Sequence, residues 1–310
     1  MDDAVEVDQP FAGFWRRLGA IVVDCLLLGL SGLLCGFFLF DFLAGLGPWG
    51  RLLGFGVALA YFGTLNSRAA GGQTVGKRLF KIKVVGADGA PLSLGKAALR
   101  QSVFALPWFL NNAWIPPSAL AAPWVQVLAL LVFGVALAIA YLAVFNRPTR
   151  QSLHDLIVGS YVVRHDVAGA IRAPPVARQH LIAVAVCAVL ALSLPALMSR
   201  LVSSESLLPL MTAFRALNDQ PGVRYVQVSK GWTRGPGGEF TYIQVNAFVT
   251  ERKVEDTALA GRLARVAMES LPSADVNVVQ VNLIYGFDIG IASASRTYTH
   301  ANSPQGWSAR

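Results

Sequence analysis

Leu18–Phe40 reads LGAIVVDCLLLGLSGLLCGFFLF, an apolar run interrupted by a single charge, Asp24. A helix that crosses a bilayer needs about 20 mostly apolar residues, because each residue advances about 1.5 Å through a hydrocarbon core about 30 Å thick. The run meets that length and reads as a first spanning helix. Asp24 lies about two turns in, roughly 10 Å along the axis from Arg17. A carboxylate at that depth costs about 2.5–3.5 kcal/mol on insertion scales. It is therefore expected to face the bundle interior, an aqueous cavity or a cationic partner. Arg17, seven residues earlier, shares its helix face, and Arg100 is the second candidate partner. Two roles fit: a coupling carboxylate for a proton or cation, or a structural ion pair that fixes helix rotation. A cleaved signal with an Arg16-Arg17 pair is the competing reading. It fits poorly, because the run is too long, Asp24 interrupts it and no small-x-small site follows.

Working outward, Trp124–Phe145 and Leu181–Met198 are further apolar runs, and Pro48–Leu65 is short and glycine-rich (Gly50, Gly54, Gly56, Gly63). Small residues there let a neighbouring backbone approach closely. Ala98–Ile115 is the most polar candidate, with Arg100, Gln101, Asn111 and Asn112. Three basic clusters flank these runs: Arg16-Arg17, the group from Lys77 to Lys96, and the group from Arg147 to Arg178. The positive-inside rule places all three in the cytoplasm. Two crossings must then separate the second cluster from the third, so Ala98–Ile115 is expected to cross as well. The N-terminus is expected in the cytoplasm of a bacterium, under its inner membrane, and everything beyond Arg200 outside it. Trp15, Trp49, Trp108, Trp114 and Trp124 fall near the expected interfaces, as belt residues do.

Composition agrees. The 310-residue chain is 54% apolar and only 14% charged, against about 25% charged in an average soluble protein. Sixteen of the 26 Lys and Arg, but 9 of the 18 Asp and Glu, lie at or before Arg200. The basic excess belongs to the apolar part, so anionic lipid headgroups are its expected counter-charge and nucleic acid is not an expected partner. Cys25, Cys35 and Cys187 all lie in apolar runs and form neither a disulfide framework nor a thiolate metal spacing.

Three segments carry a resemblance. They are Gly13-Phe14-Trp15-Arg16-Arg17-Leu18-Gly19-Ala20 running into Asp24, Gly72-Gln73-Thr74-Val75-Gly76-Lys77-Arg78-Leu79 running to Ser93-Leu94-Gly95, and Arg150-Gln151-Ser152-Leu153-His154-Asp155-Leu156-Ile157-Val158-Gly159. In this order they resemble the RDD family of bacterial membrane proteins, named for an arginine and two aspartates, which Arg17, Asp24 and Asp155 match. The resemblance covers about Phe11 to Val163. It implies a membrane bundle, with ion or solute transport suggested for some members.

Gly71 and Gly76-Lys77 have the spacing of a phosphate-binding loop, but Arg78 stands where Ser or Thr should bind magnesium. A turn entering a basic interfacial strand, Leu79–Val85, fits better, with Lys77, Arg78, Lys81 and Lys83 against headgroups. His154-Asp155 lacks the further ligands a metal needs. Asp155 is expected to cap or anchor the cytoplasmic end, bridged to Arg147, Arg150 or Arg17.

Beyond Arg200, helical spacing at Ser206–Leu217 and Leu259–Ser270 alternates with strand patterns at Ile243–Val249 and Val279–Tyr285. Gly231–Gly238 reads as a loop between strands, Ile289–Thr299 as a last strand, and Arg296 to Arg310 as a frayed end. The order α-β-β-α-β-β implies a small two-layer α+β domain. The expected organisation is a tail over residues 1–14, an all-α membrane bundle over 15–165, a linker and fifth span over 166–200, and an exported domain over 201–310. No nucleophile–base pair stands out, so the expected protein is non-enzymatic and without a cofactor. It either moves a small ion or solute, with Asp24 coupling, or serves as an envelope scaffold or accessory subunit. A homo-oligomer or an envelope protein is an allowed partner.

Overall fold

The computed structural model describes residues 10–113, 115, 119, 122–202, 207–235, 238–271 and 275–309. Five helical segments run between two ends: α1 (Phe14–Leu46), α2 (Gly50–Leu65), α4 (Leu94–Leu110), the continuous α5–α6 rod (Pro123–Ala129 and Val135–Phe145, joined by a π-helical turn), and α8 (Arg178–Val202). They overlie the five apolar runs. Three stretches among the described residues are long and apolar enough to cross a membrane: Phe14–Leu65, Pro123–Phe145 and Arg178–Leu201. By themselves α2, with 16 residues, and α4, with 17 residues and an internal Pro107, are short for that task. The chain reverses between α1 and α2 at Gly47, whose φ of 53° is left-handed. Trp15, Trp49, Trp108 and Trp124 are exposed; Trp114 lies outside the described residues.

A small α/β cap closes the Arg17 end. The strand expected at Leu79–Val85 instead begins at Ile82. It is preceded by a short helix, α3 (Val75–Leu79), which Thr74 caps by accepting from the Lys77 N–H at 3.2 Å. The strand β1 (Ile82–Gly86) pairs antiparallel with β2 (Ser160–Arg164), which follows α7 (Leu153–Val158). Ala12, Ala20, Ile82, Val84, Ala97 and Val162 form the cap's core. Local pattern gave no hint of β2, because its partner lies 74 or more residues away in sequence.

The C-terminal domain follows the expected order: α9 (Leu208–Asn218), β3 (Val223–Gly235), β4 (Gly238–Val249), α10 (Thr257–Ser270), β5 (Val278–Asp288) and β6 (Ser293–Asn302). The sheet order is β3-β4-β5-β6, with only β4–β5 parallel, across the α10 crossover. Alternate residues of β4 and β5 bury against Ala213, Leu217, Leu263 and Ala267 of the helices. Three local expectations are corrected. Strand pairing continues through Gly231 to Gly235↔Gly238, so the expected loop is mostly ladder. The last strand starts at Ser293, after a turn that occupies Ile289–Ala292. The end does not fray: α11 (Pro304–Ser308) inserts Trp307 into the core, where its indole donates to the Val279 carbonyl at 2.9 Å.

The domain is bound to the far end of the bundle. Leu43 and Ala44 of α1 belong to its core. The β5–β6 turn enters between α1 and α2, where a Cβ on Gly54 would overlap the Ile289 carbonyl oxygen and one on Gly36 would overlap the Phe287 ring. Ile291 packs on the cluster of Leu28, Ala58 and Phe62. Arg51 donates to Asp288 Oδ2 at 2.6 and 3.0 Å, and the Trp108 indole donates to the Gly290 carbonyl at 2.7 Å. Glycine on α2 thus admits a backbone, as its composition implied, but at Gly50 and Gly54 the visitor is a hairpin rather than a helix. Gly54→Ala is expected to cost about 1–3 kcal/mol, as overpacking does. Hydrogen-exchange mass spectrometry should show faster exchange over Ile289–Ala292 in this variant, with the β1–β2 cap unchanged.

Candidate functional site

Burial, not sequence distance, brings the site together. Asp155 sits in the first turn of α7, where Ser152 and Asp155 form a reciprocal capping box. Its carboxylate is 1% exposed. Oδ1 accepts from Arg100 Nε at 2.8 Å and from the Ser160 hydroxyl at 2.8 Å, while Arg17 Nη1 lies 3.8 Å from Oδ2. Of the expected partners, Arg17 is present; Arg100, which was expected beside Asp24, takes the closest position here. Burial by itself would raise the Asp155 pKa, but Arg100, His154 and Arg17 outweigh it and hold the carboxyl well below its usual range. Its stabilising effect is therefore complete above about pH 4 and is lost only as pH falls below that.

Arg17 acts as a staple. Its guanidinium donates to the carbonyls of Ala12 (3.0 Å), Thr149 (3.1 Å), Val162 (3.1 Å) and Arg150. It ties the start of α1 to the segment after α6 and to β2. His154, next to Asp155, is pushed down to about 3, first by burial and then by Arg100, Arg17 and Lys77 against the pull of Asp155. It is neutral at pH 7, and its Nδ1 has no partner among the described residues.

Asp24 is fully buried, but neither Arg17 nor Arg100 pairs with it. Thr74 Oγ1 donates to Oδ2 at 2.6 Å, and the Tyr61 hydroxyl and the Gly76 N–H donate to Oδ1, each at 2.8 Å. Gly76 permits this approach, since a Cβ there would overlap the Ala20 carbonyl oxygen. The expected ion pair is thus replaced by a neutral three-donor shell that latches α1 to α2 and α3. Thr74 and Tyr61 escaped sequence reasoning because only the fold brings them, 50 and 37 residues away, to Asp24.

Asp155, but not Asp24, lines a cavity of about 290 Å³. Arg17, Lys77, Arg100 and Arg150 line it beside one carboxylate, Asp155, and its other walls are largely apolar. Lys77, expected at headgroups, is instead 6% exposed and turned inward, because α3 wraps it under α1. Arg78 and Lys81 are exposed, and Lys83 is half-buried in β1.

The profile of the RDD family matches residues 11–159. This region belongs to the RDD family. Arg17, Asp24 and Asp155 all fall within it, as do both carboxylate sites and Lys77. An uncharacterized protein of Bacillus subtilis (strain 168), YckC, is 28% identical over 151 residues, which are 49% of this chain and 83% of that protein. No solved structure matches the chain. With its apolar helices, the RDD region makes this a membrane protein. The α8 helix and the C-terminal domain lie outside the matched RDD segment.

Removing one partner of a buried ion pair costs about 3–5 kcal/mol, because it strands the other charge. Asp155→Asn should therefore be more damaging than Asp24→Asn, which disturbs hydrogen bonds worth about 1–3 kcal/mol. Thermal unfolding of both variants in detergent, followed by circular dichroism, checks this order.

Proposed function

We propose that this is a multi-pass protein of a bacterial inner membrane that moves a small ion or solute through its RDD bundle. In this reading α1, α2, α4, α5–α6 and α8 are five crossings, the N-terminus is cytoplasmic, and residues 201–310 lie outside. The placement of helices over all five apolar runs supports the count. The gathering of Arg17, Lys77 and Arg150 at one end, opposite the C-terminal domain, supports the orientation. Exposed Arg78 and Lys81 then meet anionic headgroups. The protein acts without a cofactor and is non-enzymatic.

The observation that carries the reading is the cavity at the Arg17 end, lined by ionisable side chains within the bundle. Such residues inside a membrane bundle are costly and are kept for ion or solute handling. The Ile291 turn fills the other half of the cleft between α1 and α2. Passage therefore requires that turn to move. Asp24, with both oxygens occupied by donors, positions α3 rather than meeting the solute. Proteoliposomes holding the full chain should show flux of at least one ion or solute class above protein-free vesicles. Asp24→Asn that still folds should retain most of it, and Lys77→Met should lose it. Leak-level flux across cations and anions from folded protein would contradict the reading.

One observation favours the accessory-subunit reading instead. On the sheet face away from the helices, Gln244, Asn246, Asn282 and Thr299 form a neutral hydrogen-bonded ladder at 2.7–3.1 Å. A ladder of amides and hydroxyls suits an envelope protein or cell-wall polymer. Co-purification of a stoichiometric partner, lost on deleting residues 207–310, would favour that role.

A further inference from the structure

The cavity's polar groups do not satisfy one another. Lys77 is more than nine-tenths buried and faces the cavity, and its ammonium has no acceptor among the described residues. Arg100 spends Nε and Nη2 on Asp155, which leaves Nη1 with no acceptor among the described residues. Four cationic side chains line the space against one carboxylate, which is already held by Arg100 and Ser160. Asp24 accepts from Tyr61, Thr74 and Gly76, and no ion pair joins it to Lys77 among the described residues. Two buried atoms at the wall, Asn66 Oδ1 and His154 Nδ1, also lack partners among the described residues. A buried charge without a counter-charge is costly, so Lys77 either gives up its proton or takes a negatively charged partner, and the cavity beside it has room for one.

We propose that this cavity is an oxyanion site, with Lys77 and Arg100 as its cationic end, for a phosphate-class group carried on an apolar body. The proposal rests on the solute-handling reading above and names its substrate class. The ammonium of Lys77 and the free Nη1 of Arg100 bind the oxyanion, and Asn66 Oδ1 accepts from a hydroxyl of the same ligand. Phe14, Leu18, Phe62 and Phe104 line the apolar remainder. The same chemistry has two sources: the headgroup of an anionic lipid in the adjoining leaflet, or a free phosphate.

The geometry carries a pH signature. Burial, with repulsion from Arg100 and Arg17, outweighs the attraction of Asp24 and Asp155 and lowers the Lys77 pKa to about 7. His154 stays neutral over the working range. A bound oxyanion favours the charged lysine, so binding takes up a proton and weakens as pH rises above about 7.

The test uses the full chain in nanodiscs of phosphatidylcholine. One arm titrates inorganic phosphate by calorimetry. The other replaces a fraction of the lipid with phosphatidylglycerol and counts retained phosphatidylglycerol by native mass spectrometry. Wild type should bind at least one probe about tenfold more tightly than Lys77→Met, and more weakly at about pH 9 than at about pH 6. Lys77→Arg should keep most of the binding. A response to phosphate assigns a free oxyanion, and a response to phosphatidylglycerol alone assigns a headgroup. Equal binding by wild type and Lys77→Met overturns the site. If Lys77→Met does not fold, wild-type binding that is unchanged between the two pH values overturns it. Binding without flux would remove the transport reading and leave the site standing. Flux of a cation without binding of either probe would do the reverse.

Discussion

A single carboxylate, Asp155, organises the RDD end of this protein. It is shut away from water and would be untenable there without Arg100 and Arg17. Those two arginines belong to different helices, and Arg17 adds carbonyl contacts to the segments that precede α1 and follow α6. The ion cluster therefore sets where α1, α4, α7 and β2 meet. Everything else at that end is placed relative to it, including the strand pair, the turn of α3 and the cavity. Buried pairs of this kind contribute less to net stability than to geometry, because desolvation offsets much of their attraction.

The second constraint acts at the opposite end, and it is steric. Glycines on α1 and α2 leave a slot that backbone can enter, and the β5–β6 turn occupies it. Arg51–Asp288 and Trp108–Gly290 fasten that turn. Leu43 and Ala44 extend the core of the C-terminal domain into the bundle. A change in the C-terminal domain is thus felt directly at Ile291, and from there at Phe62, which also lines the cavity.

What the sequence made legible follows the range of each interaction. Apolar length marked the helices, and period-two alternation marked β4 and β5, because burial on one face repeats locally. The importance of Arg17, Asp24 and Asp155 came through their motifs, but their partners did not. Asp24 looked for a cation at helical spacing and found hydroxyls and an amide that only the α3 turn delivers. Lys77 looked like one more headgroup lysine among Arg78, Lys81 and Lys83, since nothing local signals that Thr74 starts a helix that turns it inward. Trp307 and the Ile289–Ala292 turn were misjudged for the same reason: their contacts lie in other parts of the chain.

The claim on which the account turns is that Lys77 is an internal charge awaiting an anion rather than a surface lysine. A high-resolution electron-microscopy map of the protein in nanodiscs containing phosphatidylglycerol and phosphate tests it most directly. The account predicts tetrahedral density about 3 Å from Lys77 Nζ and within reach of Arg100, with Lys77 still turned inward. A map in which Lys77 extends to the headgroup layer, or in which the cavity holds only water, would contradict it.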